Sequence, residues 1–427
     1  MLDLRFIKEN LEAVRTNTKN RNVDADPGLV VELYDRRSVL LKELDSLRQA
    51  RNENAARMKG KLSPEERPPL IEEGKRLKER IADLEKQNED NEKKLREEAL
   101  KIPNMSHPSA PVASGEAGNR EVKRWGTVPS FSFKPKDHVE LGQSLDIIDF
   151  ETATRVSGQK FYYLKNRAVV LELALIRYAL DILMAEGFTP LITPDIAREE
   201  ILQGIGFNPR GPESNIYALE GEDMCLIGTA EITLGGYHAG EILEAEALPV
   251  KLTGLSHCFR REAGAAGQYS KGLYRVHQFT KLEMFVYCHP SRSDAMLEYL
   301  VGIEEKIYQG LGIPYRIVDT CTGDLGGPAY RKYDFEAWMP GRGEKGDWGE
   351  ITSASNCTDY QARRLGVRFK EGGKNQLVHM LNGTALAASR TPIAILENFQ
   401  REDGSVAIPE KLVPYTGFKE IVPAKAG

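Results

Sequence analysis

A chain of 427 residues, 41% hydrophobic and 28% charged, has enough material for two or three domains with a sizeable core. Its formal net charge of −5 excludes a bulk-basic nucleic-acid binder, so any polyanion must be met by a local patch. Five scattered cysteines (Cys225, Cys258, Cys288, Cys321, Cys357) never fall in C-x-x-C spacing; this argues against a disulfide framework and a structural zinc site and for a reducing, cytoplasmic setting. No uninterrupted apolar run is long enough for a membrane partner.

The N-terminal "MLDLRFIKENLEAV" reads as an amphipathic helix with Leu2, Leu4, Ile7, Leu11 and Val14 on one side. From Val30 to Met58 there is no Pro or Gly, and a heptad seam runs through Val30, Leu33, Leu40, Leu44 and Leu47 with polar interruptions at Arg37, Arg51 and Asn54. "GKLSPEERPP" breaks it. A second seam follows at Leu70, Gly74, Leu77, Ile81, Leu84, Asn88, Asn91 and Leu95. The pair predicts an antiparallel coiled-coil arm, with helices of roughly 40–50 Å at ~1.5 Å per residue. Between Ser46 and Arg80, ten basic residues face six acidic ones, a balance of +4. An ordinary solvated coiled coil fits this; so does a basic tip that touches phosphates.

"KIPNMSHPSAPVASGEAGNREV" is rich in Pro, Ser, Gly and Ala and reads as a linker or a meandering connection. The expected division is an arm over 1–101, a linker over 102–126 and a body over 127–427. In the body, "FYYLKNRAVVLELALIRYALDILMAEGF" predicts a short strand and then a helix, "FTPLITP" an extended segment, and Ala295–Gln309 a further helix. Mixed strands and helices predict an α+β body, a mostly antiparallel sheet flanked by helices.

The stretch "CFRREAGAAGQYSKGLYRVHQFTKLEMF" reads as a long hairpin. Alternation puts Leu252, Gly254, Ser256, Cys258, Arg260 and Glu262 on one face of the first limb. Arg275, His277, Phe279, Lys281, Glu283 and Phe285 share a face of the second, with Tyr274, Val276, Leu282, Met284 and Val286 on the core side. Phe279 and Glu283 then lie roughly 13 Å apart, at ~3.3 Å per residue. A base stacked on Phe279 would place a small attached group near Glu283. Arg260 beside them could hold phosphate bidentately. The plain alternative is a wet surface hairpin.

"GTAE" sets Thr229 and Glu231 on one side of an extended segment. "WGEITSASNC" offers Glu350 and Ser353 as hard oxygen donors suited to Mg²⁺. In "LNGTALAASRTPIAILENFQ", Asn382, Thr384 and Arg390 stand among small residues that let a ligand approach the backbone, ahead of a helix expected to start near Pro392.

Taken in order, "GFTPLITP", "GTAE", "FRREAGAAGQYSKGLYRVHQFTKLEMF", "EITSASNC" and "NGTALAASRTPIAILENFQ", behind a helical arm, resemble the seryl-tRNA synthetases, class II enzymes, over nearly the whole chain. The resemblance implies a homodimer formed through the first of these motifs, and a two-step reaction. L-serine and Mg-ATP give seryl-adenylate, and the seryl group then passes to tRNA(Ser), with tRNA(Sec) left open as a second acceptor. It further implies roles. Arg260 and Arg390 are catalytic, on the α- and γ-phosphates. Thr229, Glu231, Arg260, Glu283, Asn382 and Thr384 bind serine. Glu262, Val276, Phe279, Ile351 and Thr352 join them around ATP. Glu350 and Ser353 hold Mg²⁺, with no zinc. Arg36, Arg48, Arg51 and Lys75 on the arm contact tRNA. The chain departs from the family pattern at Arg261, where Ser or Thr is usual, and near Gln268 and Tyr269, where a basic residue is usual. A carrier-protein ligase lacks the long arm, and a catalytically dead relative would not keep this residue set.

Overall fold

The computed structural model describes residues 1–207, 215–262 and 271–423. Of the Gly/Ala/Ser loop expected across "AGAAGQYSKG", residues 263–270, with Gln268 and Tyr269, lie outside them. The chain forms two compact units, Met1–Met105 and Ser106–Gly427.

The first unit opens with helices α1 (Leu4–Glu9) and α2 (Leu11–Asn20) in place of the single expected helix. The break falls at Asn10, whose side-chain amide donates to the Phe6 carbonyl and so caps the turn it ends. Two long helices follow, α3 (Pro27–Met58) and α4 (Arg67–Lys101). Asp26 caps α3 by accepting from the Gly28 and Leu29 N–H groups, with Pro27 in the first turn, where no N–H is needed. Pro68 and Pro69, expected in the breaker, lie in the first turn of α4 for the same reason. The seams are buried as predicted: Leu40, Leu44, Ile81 and Leu84 form one apolar cluster, each worth about 1.5–3 kcal/mol when fully buried. Two polar seam positions donate to the opposite backbone. Asn54 Nδ2 donates to the Leu70 carbonyl at 3.2 Å, and Asn91 Nδ2 to that of Leu33 at 3.0 Å. Arg37 leaves the seam to pair with Glu92 at 2.9 Å.

The second unit is built on an eight-stranded sheet. Its strands are β1 (Arg120–Trp125), β2 (Thr189–Ile192), β3 (Val250–Phe259), β4 (Gln278–Cys288), β5 (Tyr315–Asp319), β6 (Arg331–Met339), β7 (Asp347–Asn356) and β8 (His379–Ala387). They lie in the order β1-β5-β6-β7-β8-β4-β3-β2. Only β2 with β3 is parallel in this sheet; the other neighbours are antiparallel. β1 takes up residues assigned to the linker, and the segment before it is tied down by hydrogen bonds from Thr322 and Gly323 N–H to the Pro111 and Ala113 carbonyls. Small and Pro-rich composition here marks a bound meander rather than a free tether.

Helices α5 (His138–Ser144), α6 (Arg167–Ala185), α7 (Glu231–Gly236), α8 (Ser293–Gly310) and α9 (Arg390–Asn398) complete the elements around the site. The apolar faces of α6 and α8 pack with the back of the sheet: Leu175 and Leu300 share a core with Leu282, Met284 and Val286. That leaves the alternate residues of β4 on the front.

Candidate active site

Register across the front decides what meets what. Phe279 stands opposite Cys258, Lys281 opposite Ser256 and Glu283 opposite Gly254 on β3; on its other side Glu283 stands opposite Thr384 on β8. Phe279, Lys281 and Glu283 therefore share one face, and all three line a cavity of about 350 Å³, within the range of small-molecule sites. Phe285, expected on the same front, is instead fully buried in a second core with Leu252 and Tyr287. The polar row therefore ends at Glu283.

At one end the Arg260 guanidinium lies 5.2 Å from the Phe279 ring centroid, and its Nε donates to the Gly228 carbonyl at 3.1 Å. β3 stops at Phe259, so strand alternation does not carry Glu262 here. A left-handed turn does, with φ 47° at Glu262, and Arg275 Nη1 steadies its carboxylate at 3.2 Å. Alternation fails in the second limb as well, because β4 begins only at Gln278. Val276 and Tyr274, expected on the core side, are buried but also line the cavity; His277 instead packs by Phe161 and Tyr217, and its Nδ1 lies 2.9 Å from the Arg260 carbonyl.

At the other end, Glu283 is 2% exposed and its Oε2 lies 2.5 Å from Lys281 Nζ and 3.3 Å from Thr384 Oγ1. The Lys281 ammonium also donates to Thr229 Oγ1 at 2.8 Å. "GTAE" is not extended. Thr229 sits in a bend, its hydroxyl accepts the Glu231 N–H, and Glu231 is the first residue of α7. Asn382 Nδ2 and Gln361 Nε2 both donate to Glu231 Oε1, at 2.9 and 2.8 Å. Burial and the neighbouring Glu283 carboxylate push the Glu231 carboxyl up to about 7, against the Gln361 hydrogen bond and the charges of Lys281 and Arg260.

Between the ends stand Glu350 and Ser353 on β7. Residues three apart on a regular strand face opposite ways. Here Thr352 opposes Phe335 while Glu350 opposes Glu336, so Ile351 is an extra residue, a bulge. The bulge brings Glu350 to the face of Ser353. Burial raises the Glu350 carboxyl, but Arg390, Lys332 and Arg260 outweigh it and hold the group well below the ordinary carboxylate range. Arg390 is the first residue of α9, two residues ahead of the expected start, and its Nη1 lies 3.2 Å from Glu350 Oε2. An ionised carboxylate and a hydroxyl on one face, bordered by arginines, fit a Mg²⁺ that arrives with phosphates.

The cavity thus gathers Thr229, Glu231, Arg260, Glu262, Val276, Phe279, Glu283, Glu350, Ile351, Thr352, Ser353, Asn382, Thr384 and Arg390. Arg36, Arg51 and Lys75 are exposed on the arm, and Arg48 pairs across it with Glu85 at 2.8 Å. Sequence reading gave no role to Lys281, although it stood in the alternating row. Nothing in the sequence pointed to Gln361, nor to the Lys332–Asp334 pair (2.8 Å) on β6.

A family model for the seryl-tRNA synthetase N-terminal domain matches residues 1–106, and one for the tRNA synthetase class II core domain (G, H, P, S and T) matches residues 217–399. A serine–tRNA ligase of Treponema denticola is 65% identical over 422 residues, 99% of this chain and 100% of that protein. The chain belongs to the seryl-tRNA synthetase family. A serine–tRNA ligase of Rubrobacter xylanophilus is 57% identical, with 100% of both chains covered. A crystal structure of seryl-tRNA synthetase from Pyrococcus horikoshii, complexed with ATP, matches at a TM-score of 0.93 and 42% identity over 100% of both chains. A cytoplasmic serine–tRNA ligase from Naegleria fowleri in complex with AMP matches at 0.87 and 33%, covering 100% of this chain and 99% of the other. The class II synthetase fold and the ATP-dependent ligase class follow from these likenesses.

Proposed function

We infer that this synthetase activates L-serine with ATP and passes the seryl group to the 3′ end of tRNA(Ser). The observation that carries the inference is the row itself: an aromatic platform at Phe279, cations at Arg260 and Arg390, and a buried acidic anchor at Glu283, all open to one cavity. In the first step a serine carboxylate oxygen attacks the α-phosphorus of ATP and pyrophosphate leaves. In the second, a terminal ribose hydroxyl of the tRNA attacks the seryl carbonyl and AMP leaves. Neither step needs a protein nucleophile, because positioning and charge neutralisation suffice.

Adenine stacks on Phe279 with its amino group at Glu262; Val276, Ile351 and Thr352 border the nucleotide. Arg260 meets the α-phosphate and the serine carboxylate, and Arg390 the γ-phosphate. Glu350 and Ser353 hold the Mg²⁺ that neutralises phosphate oxygens when bound. Thr229, Glu231 and Glu283 receive the serine ammonium, and Asn382, Thr384 and Glu283 its hydroxyl. Alanine would leave those buried partners unpaired, which favours serine strongly.

The arm is assigned to the tRNA backbone through Arg36, Arg48, Arg51 and Lys75. A homodimer is supported by apolar side chains that α6 and β2 leave uncovered: Leu173 is 62% exposed and Ile192 86%. No helix among the described residues is long and apolar enough to cross a membrane. The cytoplasm is the proposed location, with all five cysteines as buried free thiols.

Pyrophosphate exchange across all amino acids, followed by charging of bulk tRNA, tests the reading. Serine-dependent exchange with charging supports it. Exchange without charging points to a carrier-protein ligase, and no exchange to an inactive relative.

A further inference from the structure

The segment that returns to the cavity at Lys271–Tyr274 is seated on a side chain outside the reaction row. His138 opens α5 and is 6% exposed. Its Nε2 lies 3.2 Å from the backbone nitrogen of Leu273. A backbone N–H can only donate, so Nε2 is the bare acceptor nitrogen and Nδ1 carries the hydrogen. Nδ1 donates to Glu397 Oε1 on α9 at 2.8 Å, and the His138 N–H reaches the same oxygen at 3.0 Å. The other Glu397 oxygen accepts the Gly341 N–H at 2.8 Å. The contact is tight. Gly272 has φ 61°, and a Cβ there would come within 2.2 Å of His138 Nε2. Only glycine lets the backbone lie against the imidazole. An ion pair between Lys271 and Asp137 ties the same segment to the start of α5.

Leu273 leads directly into Tyr274, which lines the cavity. The Tyr274 carbonyl accepts from Arg390 Nε at 3.3 Å. The Tyr274 ring carries the guanidinium groups of Arg390 and Arg342 at 4.7 and 4.6 Å from its centroid. Arg390 is thus held by Glu350 on one side and by Tyr274 on the other, and Tyr274 follows a residue fixed by His138.

We propose that His138 is a positioning residue for ATP: it anchors Leu273, so that Tyr274 holds the Arg390 guanidinium in place before the nucleotide arrives. This rests on the assignment of Arg390 to the γ-phosphate.

Two substitutions separate the ring's two bonds. In His138→Asn the amide reaches the Nδ1 position and still donates to Glu397, but nothing reaches Leu273. In His138→Gln the amide oxygen reaches the Nε2 position and accepts from Leu273. In serine-dependent pyrophosphate exchange, His138→Asn is expected to raise the KM for ATP roughly five-fold, about what one neutral hydrogen bond is worth, with the KM for serine unchanged. His138→Gln is expected to return most of that loss. Gly272→Ala, which presses a methyl onto the ring, is expected to behave like His138→Asn. The inference is overturned by an ATP KM of the parent value in His138→Asn, by equal rises in both KM values, or by a His138→Gln variant no better than His138→Asn. If His138→Asn melts during purification, Gly272→Ala and His138→Gln give the same comparison. Arg390→Ala separates the two claims: an unchanged ATP KM there overturns the assignment of Arg390 itself. A large loss there beside a silent His138→Asn overturns only the role of His138.

Discussion

The Glu231 carboxyl offers a pH test of the serine site. Its value of about 7 means that most of the group is ionised at pH 8 and little of it at pH 6. Protonation removes the negative charge that the serine ammonium needs. Binding strength contributed by Glu231 is therefore present above pH 7 and lost below it. If only the ionised form binds, the KM for serine rises about ten-fold between pH 8 and pH 6. The raised value has the opposite sign for the ligand-free fold, since the native state then holds a proton that the unfolded chain releases. Through this group, stability grows as the pH falls through 7, so weak binding at pH 6 is not a sign of unfolding. Glu231→Gln keeps the shape and still accepts the Asn382 hydrogen bond, but cannot ionise. It is expected to raise the KM for serine about ten- to hundred-fold at pH 8, the value of one charge-assisted hydrogen bond, and to flatten the profile. The assay is serine-dependent pyrophosphate exchange at saturating ATP across this pH range. A flat parent profile, or the same slope in Glu231→Gln, would refute the reasoning.

Phe279→Ala removes the adenine platform; stacking of about 1–3 kcal/mol predicts a five- to hundred-fold rise in the KM for ATP, against little change for serine. Equal changes in both would assign Phe279 to the fold alone. Glu350→Gln deletes one hard ligand and the partner of Arg390, so the Mg²⁺ concentration for half-maximal exchange is expected to rise at least roughly ten-fold; a Mg²⁺ titration reads this directly, and an unmoved midpoint counts against the assignment. Arg51→Glu combined with Lys75→Glu is expected to weaken tRNA charging and lower its log–log salt slope by about one for each phosphate no longer neutralised, with exchange untouched. An unchanged salt slope would take these two residues out of the tRNA interface.

Local periodicity was legible in the sequence. The apolar seam of the arm, the polar front of Phe279, Lys281 and Glu283, and the apolar back of Leu282, Met284 and Val286 follow from backbone geometry that each residue obeys with its near neighbours. Other features depended on partners far along the chain. The bulge at Ile351, which turns Glu350 to the face of Ser353, exists because β6 and β7 pair in a shifted register. The left-handed turn at Glu262 and the inward placing of Val276 arise where the strands end, at points set by sheet packing rather than by alternation. Gln361 reaches Glu231 across 130 positions of sequence. Short-range residue spacing therefore determined which side chains share a face, while long-range register and strand endings decided which faces meet, because no local pattern encodes the position of a distant partner.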